Sequence, residues 1–356
     1  MNQSTQNIRL KDVHSLRQKW KKLQQTQPPI RTRNAACQLG VSEVELLATQ
    51  CEETVTRLKS DWPGILYDLK SLGTVMALTR NDSTVHEKIG LYNPVNIIAN
   101  QACIVTEELE IRLMLEHWHF AFAVQENTSR GERFSLQFFD VAGVAIHKVY
   151  LTDNSDQQAF NALVRKFRHP DQSRIIKIQT LDIHINRDTE VSVDALRQYW
   201  RHLKYPQDFE TMLTHFKVSR FEAMALAGAE FVQSVDPIVF LEFIKTLSEI
   251  TLPVILTVQN QGAIQIHKGS LHHLKLTGSW LNILDEVFNL HLLQEAIAYM
   301  YIVEKPMATG KTNALELYNA TGQNILTLSG ENDSANYEDP RWINLIQSLP
   351  VKTEAA

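Results

Sequence analysis

The sequence predicts an α+β protein built as a tandem structural repeat, each half carrying N-terminal helices followed by a large antiparallel β-sheet. Two internal matches support the repeat. Leu16-Arg17-Gln18-Lys19-Trp20-Lys21-Lys22-Leu23 returns as Leu196-Arg197-Gln198-Tyr199-Trp200-Arg201-His202-Leu203. Ser135-Leu136-Gln137-Phe138-Phe139-Asp140-Val141-Ala142-Gly143 returns as Ala314-Leu315-Glu316-Leu317-Tyr318-Asn319-Ala320-Thr321-Gly322. Both offsets are about 180 residues, a period that fits two similar halves rather than a solenoid. The third observation is order: runs of helix precede runs of strand, the pattern of α+β proteins rather than of βαβ alternation. A ligand cleft is expected at the seam between the halves.

The elements follow in order. Leu16, Trp20 and Leu23 keep helical spacing with basic residues between them. Ser42 with Glu45 reads as a capping box opening a further helix. From Thr74 the pattern becomes short apolar runs: 75–79, 97–99, 104–105, 111–115, 120–124, 134–139 and 145–151. Asp140-Val141-Ala142-Gly143 is a turn between the last two, while Asn81 to Gly90 also reads as a turn. A helix is expected from Asp156 to Phe167, then punctuation at His169-Pro170-Asp171-Gln172-Ser173. The expected organisation is a first repeat at 1–170, a linker at 171–193 that includes a candidate strand from Ile175 to Ile185, and a second repeat at 194–356. The second repeat has helices over about 194–249, strands over about 253–330 and a closing helix near Trp342 to Leu349.

Composition narrows the function. At 356 residues each half is long enough to bury its own core. A net charge of −5 argues against a general nucleic-acid binder. No apolar run reaches the 18 or so residues of a membrane span. The polar N-terminus lacks a signal-peptide core, so a cytoplasmic location is expected. Cys37, Cys51 and Cys103 show no CxxC spacing and read as reduced, partly buried thiols.

Two motifs lead nowhere. Gly310-Lys311-Thr312 has the tail of a phosphate-binding loop, but Lys305 stands where that motif requires glycine. The pairs His117/His119 and His272/His273 have no nearby third ligand at zinc spacing. Arg112 is more informative. It interrupts an apolar strand and shares a face with Glu110 and Met114, and the repeat sets His291 at its equivalent position. Either it lies on a solvated face, paired with Glu110, or it presents a permanently charged planar donor to a ligand.

Several segments together resemble the haem-utilisation proteins of the HemS/ChuS type. They are Glu126 to Asp140, Lys148-Val149-Tyr150, Thr152 to Asp156, Asn81-Asp82 with Val85-His86-Glu87, Trp280-Leu281-Asn282-Ile283, and Leu290-His291-Leu292 with Lys305-Pro306. The resemblance runs from the first helices nearly to the end. It implies haem binding in a cleft between two repeats, in bacterial haem uptake and iron acquisition. It further implies ring-opening of haem by a haem oxygenase-like oxidoreductase with an external electron donor. The implied partners are haem, haem-import machinery or a reductase, and a homodimer is carried as an open expectation.

Carried over residue by residue, the family's distal arginine falls on Arg112, and its second-half arginine and lysine fall on Arg220 and Lys305. Cations at those places suit the two propionates of haem. The family's axial histidine position holds Gln207, and a carboxamide is a weak ligand for haem iron. Tyr205 and His86 are the substitute iron ligands the sequence offers; His202 is a more remote one and His215 lies too far along its helix. The family's glycine-asparagine-arginine-glycine turn is Gln259-Asn260-Gln261-Gly262 here. Its late tyrosine and arginine are Ser329 and Asn332, and a tryptophan is replaced by Tyr301. These losses keep a second reading open, a non-catalytic haem carrier or regulator, and a third in which the cleft takes another planar anion.

Overall fold

A computed structural model describes residues 10–27, 30–128, 131–179, 191–308, 310–331 and 338–352. The fold is α+β, with strands gathered into two large nine-stranded antiparallel sheets. In chain order the first part holds α1 (Leu10–Thr26), α2 (Thr32–Leu39), α3 (Glu43–Ala48), β1 (Val55–Leu58) and α4 (Trp62–Asp68). Next come β2 (Gly73–Arg80), β3 (Thr84–Gly90), β4 (Val95–Ile98), β5 (Gln101–Val105) and β6 (Glu110–Met114). They are followed by β7 (Phe120–Thr128), β8 (Gly131–Phe139), β9 (Ala145–Ser155) and α5 (Gln157–Phe167). The second part opens with α6 (Val193–Arg201), α7 (Pro206–Phe216), α8 (Arg220–Ala227), β10 (Val232–Val235) and α9 (Phe240–Glu249). It continues through β11 (Val254–Asn260), β12 (Ala263–Gly269), β13 (Leu274–Thr277), β14 (Trp280–Leu284) and β15 (Phe288–Leu293). It ends with β16 (Tyr299–Met307), β17 (Gly310–Tyr318), β18 (Asn324–Gly330) and α10 (Pro340–Gln347).

The chain forms two compact units. The first takes described residues within Met1–Arg80, Glu87–Asp182 and Asn260–Ile264; the second takes Asn81–His86, Ile183–Gln259 and Gln265–Ala356. Each unit therefore contains one short segment from a distant part of the chain.

Within the first unit the strands run β1–β7–β8–β9–β2, with β4–β5–β6 as a further ladder. Alternating residues build its core: Ile111 and Leu113 of β6, Leu136 and Phe138 of β8, and Val149 of β9 are fully buried. Leu69 and Leu72, with Phe160 and Leu163 of α5, cover them. The expected capping box is present: Glu45 N–H donates to Ser42 Oγ at 3.2 Å, and Glu45 Oε2 accepts from Ser42 N–H at 2.9 Å. Asn260 also belongs to this unit and donates its amide to the carbonyls of Arg80 and Ile146, both at 2.8 Å. Trp118 donates its indole N–H to Gly262 O at 3.0 Å.

The second unit repeats the strand order as β10–β16–β17–β18–β11, with β13–β14–β15 as its further ladder. Its core includes Leu256, Leu290, Leu292, Leu315, Leu317 and Trp342. A second capping box, Ser219 with Glu222, opens α8 at the position equivalent to α3. Asn81 is the counterpart of Asn260: its amide donates to Ile325 O at 3.0 Å, and its side-chain oxygen accepts from Thr84 N–H at 2.8 Å.

The structure corrects three expectations. Residues 84–90 form β3 rather than a turn, because its buried positions carry Thr84, His86 and Lys88, and the apolar alternation of a strand is absent. Residues 175–179 are not a strand, and 180–185 lie outside the described residues. The short strands β1 and β10, four residues each, fall inside stretches the sequence reads as helical. Cys51 is buried, Cys37 is exposed and Cys103 is intermediate; burial pushes the Cys51 thiol up to about 11 against the smaller pull of Arg57.

Candidate functional site

The second unit brings together two of the expected site residues. Arg220 is the first residue of α8, placed there by the Ser219–Glu222 capping box. Lys305 lies on β16. Arg220 Nη1 donates to Glu316 Oε1 at 2.8 Å, and Lys305 Nζ donates to the same oxygen at 2.9 Å. Tyr318 donates its hydroxyl to Glu316 Oε2 at 2.5 Å. Glu316, on β17, has 0% side-chain exposure, against 20% for Arg220 and 17% for Lys305. Phe209 of α7 lies beneath both cations, its ring centroid 4.9 Å from the Arg220 guanidinium carbon and 4.1 Å from Lys305 Nζ.

The electrostatics follow from burial. For Glu316 desolvation would raise the pKa, but Arg220, Lys305 and the hydrogen bonds overcome it and hold the carboxyl at about 2. Desolvation is also the largest influence on Lys305; with the like charge of Arg220 it lowers the ammonium pKa, against the pull of Glu316. Arg220 is shifted upward, as Glu316 and Glu210 outweigh its desolvation. Arg220 breaks a local rule, since a cation is unfavourable at a helix N-terminus. The carboxylates around it compensate, and such departures cluster at functional sites. The cluster holds two cations, one fully buried carboxylate and, at its outer edge on Arg220, the 61% exposed Glu210; displacing that outer partner leaves a positive charge that suits an anionic ligand.

The end of α6 and the segment that follows it are fastened beside Lys305. Trp200 Nε1 donates to Glu304 O, and Ala308 N–H donates to Lys204 O, each at 3.0 Å. Tyr205, the N-cap residue of α7, is 54% exposed. Gln207 sits in the first turn of α7 and is exposed; its carbonyl accepts from Thr211 Oγ1 at 3.0 Å. His202 is exposed at the end of α6, its Nδ1 2.7 Å from Gln198 O. A carbonyl only accepts, so Nδ1 carries the proton.

His86 is placed differently from the turn the sequence suggests. It lies in β3, is fully buried, has Nδ1 3.2 Å from Gln265 O, and meets the Phe288 ring edge-on at 5.0 Å between centroids. Coordination through His86 requires displacing that packing. Arg112 belongs to the first unit, on β6. Its side chain is 48% exposed and makes a 3.4 Å contact with Glu110, while Ile111 and Leu113 face inward. Its counterpart His291 lies on β15 with Nδ1 2.6 Å from Asn282 Oδ1. Ser329 is on β18, Tyr301 is on β16, and Asn332 lies outside the described residues.

Glu316 is the residue the sequence reading missed. Its signal was an acid between Leu315 and Leu317 in a strand whose repeat equivalent is Gln137, which is also buried and donates to Ser135 Oγ at 3.1 Å. An acid at an inward position implies nearby cations.

Two stretches of the chain, residues 40–167 and 217–349, match the model of the haemin-degrading HemS/ChuX domain. The chain belongs to the HemS/ChuX family. Among its HemS/ChuX relatives, the haemin transport protein HmuS of Yersinia pestis is 30% identical over 96% of this chain and 99% of its own length. The haemin transport protein HemS of Yersinia enterocolitica is 31% identical over 91% of this chain and 94% of its own. The structure of holo-PhuS, a haem-binding protein from Pseudomonas aeruginosa, superposes with a TM-score of 0.90 at 34% identity, covering 96% of this chain and 99% of that one. ChuS, a haem-degrading enzyme of Escherichia coli O157:H7, gives 0.89 at 28% identity, covering 95% and 99%. Among the described residues no helix is long and apolar enough to cross a membrane.

Proposed function

We propose that this member of the haemin-utilisation family binds haem in the cytoplasm during iron acquisition, with Arg220 and Lys305 holding its propionates. The observation that carries the reading is the sharing of one buried Glu316 oxygen by both cations, at 2.8 and 2.9 Å. The shared carboxylate fixes both side chains before a ligand arrives, so less side-chain entropy is lost on binding. Phe209 adds an apolar surface beneath them. The relatives described as haemin transport or haem-binding proteins support the ligand.

The chemistry proposed is haem degradation with release of iron, for which bound haem supplies the oxidative capacity and an external donor such as a reductase supplies electrons. Arg112, its side chain 48% exposed and 3.4 Å from Glu110, offers permanently charged planar N–H donors. Tyr205 is the proposed iron ligand, standing two residues from Gln207 on an exposed turn. His86 is less suited because it is fully buried. The ChuS match supports the enzymatic reading.

A carrier or regulatory role is the second reading. The observation favouring it is the exposed carboxamide of Gln207 in place of an imidazole, which makes for a weaker and more exchangeable site.

Haemin titration followed at the Soret band tests the binding. Saturable binding at micromolar haemin is expected, weakened about tenfold or more by Arg220→Ala with Lys305→Ala through loss of charge-assisted bonds. Absence of saturable binding overturns the proposal. Adding ascorbate, or NADPH with a reductase, separates the two roles. Bleaching with chelatable iron marks the enzyme; an intact band with rapid transfer to apomyoglobin marks the carrier.

A further inference from the structure

We infer that Glu210 competes with the ligand's carboxylate for Arg220 and so sets how tightly the site holds, and how readily it releases, an anionic ligand. This rests on the proposed binding of haem propionates at Arg220. The guanidinium is divided between two carboxylates of different character. Nη1 is committed to Glu316, which is fully buried and held by three donors. Nη2 is engaged by Oε1 of Glu210. Glu210 lies on the outward side of α7, with a side chain 61% exposed against 20% for Arg220. The inner carboxylate is structural and the outer one is at the solvent edge, where an incoming carboxylate would approach.

The two contacts differ in how easily they break. Removing Glu316 leaves two cations without the buried carboxylate they share. Releasing Glu210 costs less: it holds Arg220 from the solvent edge, its side chain 61% exposed, and its carboxylate regains hydration as it swings away. Glu210 and a propionate offer the same two oxygens to the same N–H donor, so Arg220 Nη2 takes one or the other. Without the ligand, Glu210 neutralises the surplus cation of the cluster. With the ligand, that partner is displaced, and it remains tethered nearby to recapture Arg220 when the ligand leaves. The effect is a lowered affinity and a faster exit, both confined to ligands bearing a free carboxylate.

Glu210→Gln keeps the size and exposure of the side chain and removes its charge. Haemin should then bind about threefold to fivefold more tightly, and transfer to apomyoglobin should slow by a similar factor. Haemin dimethyl ester, which lacks both propionate charges, should bind the variant and the parent alike. Haemin affinity unchanged or weakened in Glu210→Gln overturns the inference, as does an equal gain for the dimethyl ester. Arg220→Ala isolates the underlying reading. If it leaves haemin binding untouched, propionates are not held at Arg220; if it weakens binding while Glu210→Gln brings no gain, the competition alone is wrong.

Discussion

Lys305 Nζ and Glu316 Oε1 lie 2.9 Å apart in a site where the lysine is 17% exposed and the carboxylate 0%. Because Arg220 converges on that same oxygen, Glu316 balances two cations at once. Glu316→Gln leaves Lys305 without its carboxylate partner and Arg220 with only the outer, exposed Glu210. A stability loss of about 3–5 kcal/mol is expected in urea titrations, as for other broken buried pairs. Replacing Arg220, Lys305 and Glu316 together by Met, Met and Leu should recover most of it while abolishing the selectivity for haemin over its dimethyl ester. A single-variant loss below about 1 kcal/mol would show that Glu210 and solvent, not Glu316, neutralise the cations.

His147 contributes to acid sensitivity. It is fully buried between Thr79 Oγ1 at 2.9 Å and Tyr92 Oη at 2.6 Å, and desolvation depresses its pKa to about 3. A histidine depressed in the folded state contributes stability that is complete above its unfolded value near 6.5 and is lost as pH falls towards 3. Glu316, held at about 2, adds a second loss that begins near 4.5. Urea midpoints for the protein and for His147→Gln should converge below pH 6, the difference shrinking by up to about 1.4 kcal/mol per pH unit. A pH-independent difference would mean that the ring takes up its proton as readily in the folded as in the unfolded state.

Gly143 and Gly322 close equivalent turns at φ +78°. A Cβ on Gly143 would fall 2.4 Å from Val44 Cγ1, and one on Gly322 would fall 2.7 Å from Phe221 Cδ1. Alanine at either should cost about 2–4 kcal/mol, combining left-handed strain with a clash in a packed core. Gly278→Ala is the control, since its φ is +57° with nothing within 4 Å of the added methyl. It should lose only about 1–2 kcal/mol by thermal melting.

The two iron-ligand candidates separate by spectrum and by stability. Tyr205→Phe should change the EPR and resonance Raman spectra of the ferric haemin complex while melting like the parent, because the side chain is 54% exposed. His86→Ala should lower stability by about 2–4 kcal/mol through loss of its packing on Phe288, and leave the ferric spectrum in place. The reverse pattern would assign the iron to His86.

Arg112→Ala should change stability by no more than about 0.5 kcal/mol, since its side chain is 48% exposed. The haemin complex should nonetheless show a weakened Soret band. An unaltered spectrum would remove Arg112 from the site.

Much of this was legible from residues alone. The Ser42–Glu45 capping box, the strands with clear apolar alternation and the repeated turns at Gly143 and Gly322 are local features, and local chemistry specifies them. β3 was hidden because Thr84, His86 and Lys88 point inward, so burial there does not follow hydropathy. The site was half legible. Arg220 and Lys305 were identifiable through resemblance, but the contact that joins them runs through Glu316, which is 96 residues from Arg220 in the chain. No local pattern reports a contact of that range, and the inward acid between two leucines was its one trace.

The small segments around Asn81 and Asn260 have a consequence for dissecting the protein. A fragment ending at residue 179 would carry the first unit's strands but lack Gly262, the carbonyl acceptor for Trp118, and the Asn260 amide that binds the Arg80 and Ile146 carbonyls. A fragment starting at residue 191 would lack Asn81, and with it the donor to Ile325. Each compact unit thus draws one short segment from the other half of the sequence. Scissors placed at the midpoint would leave each piece without a segment that belongs to its own unit.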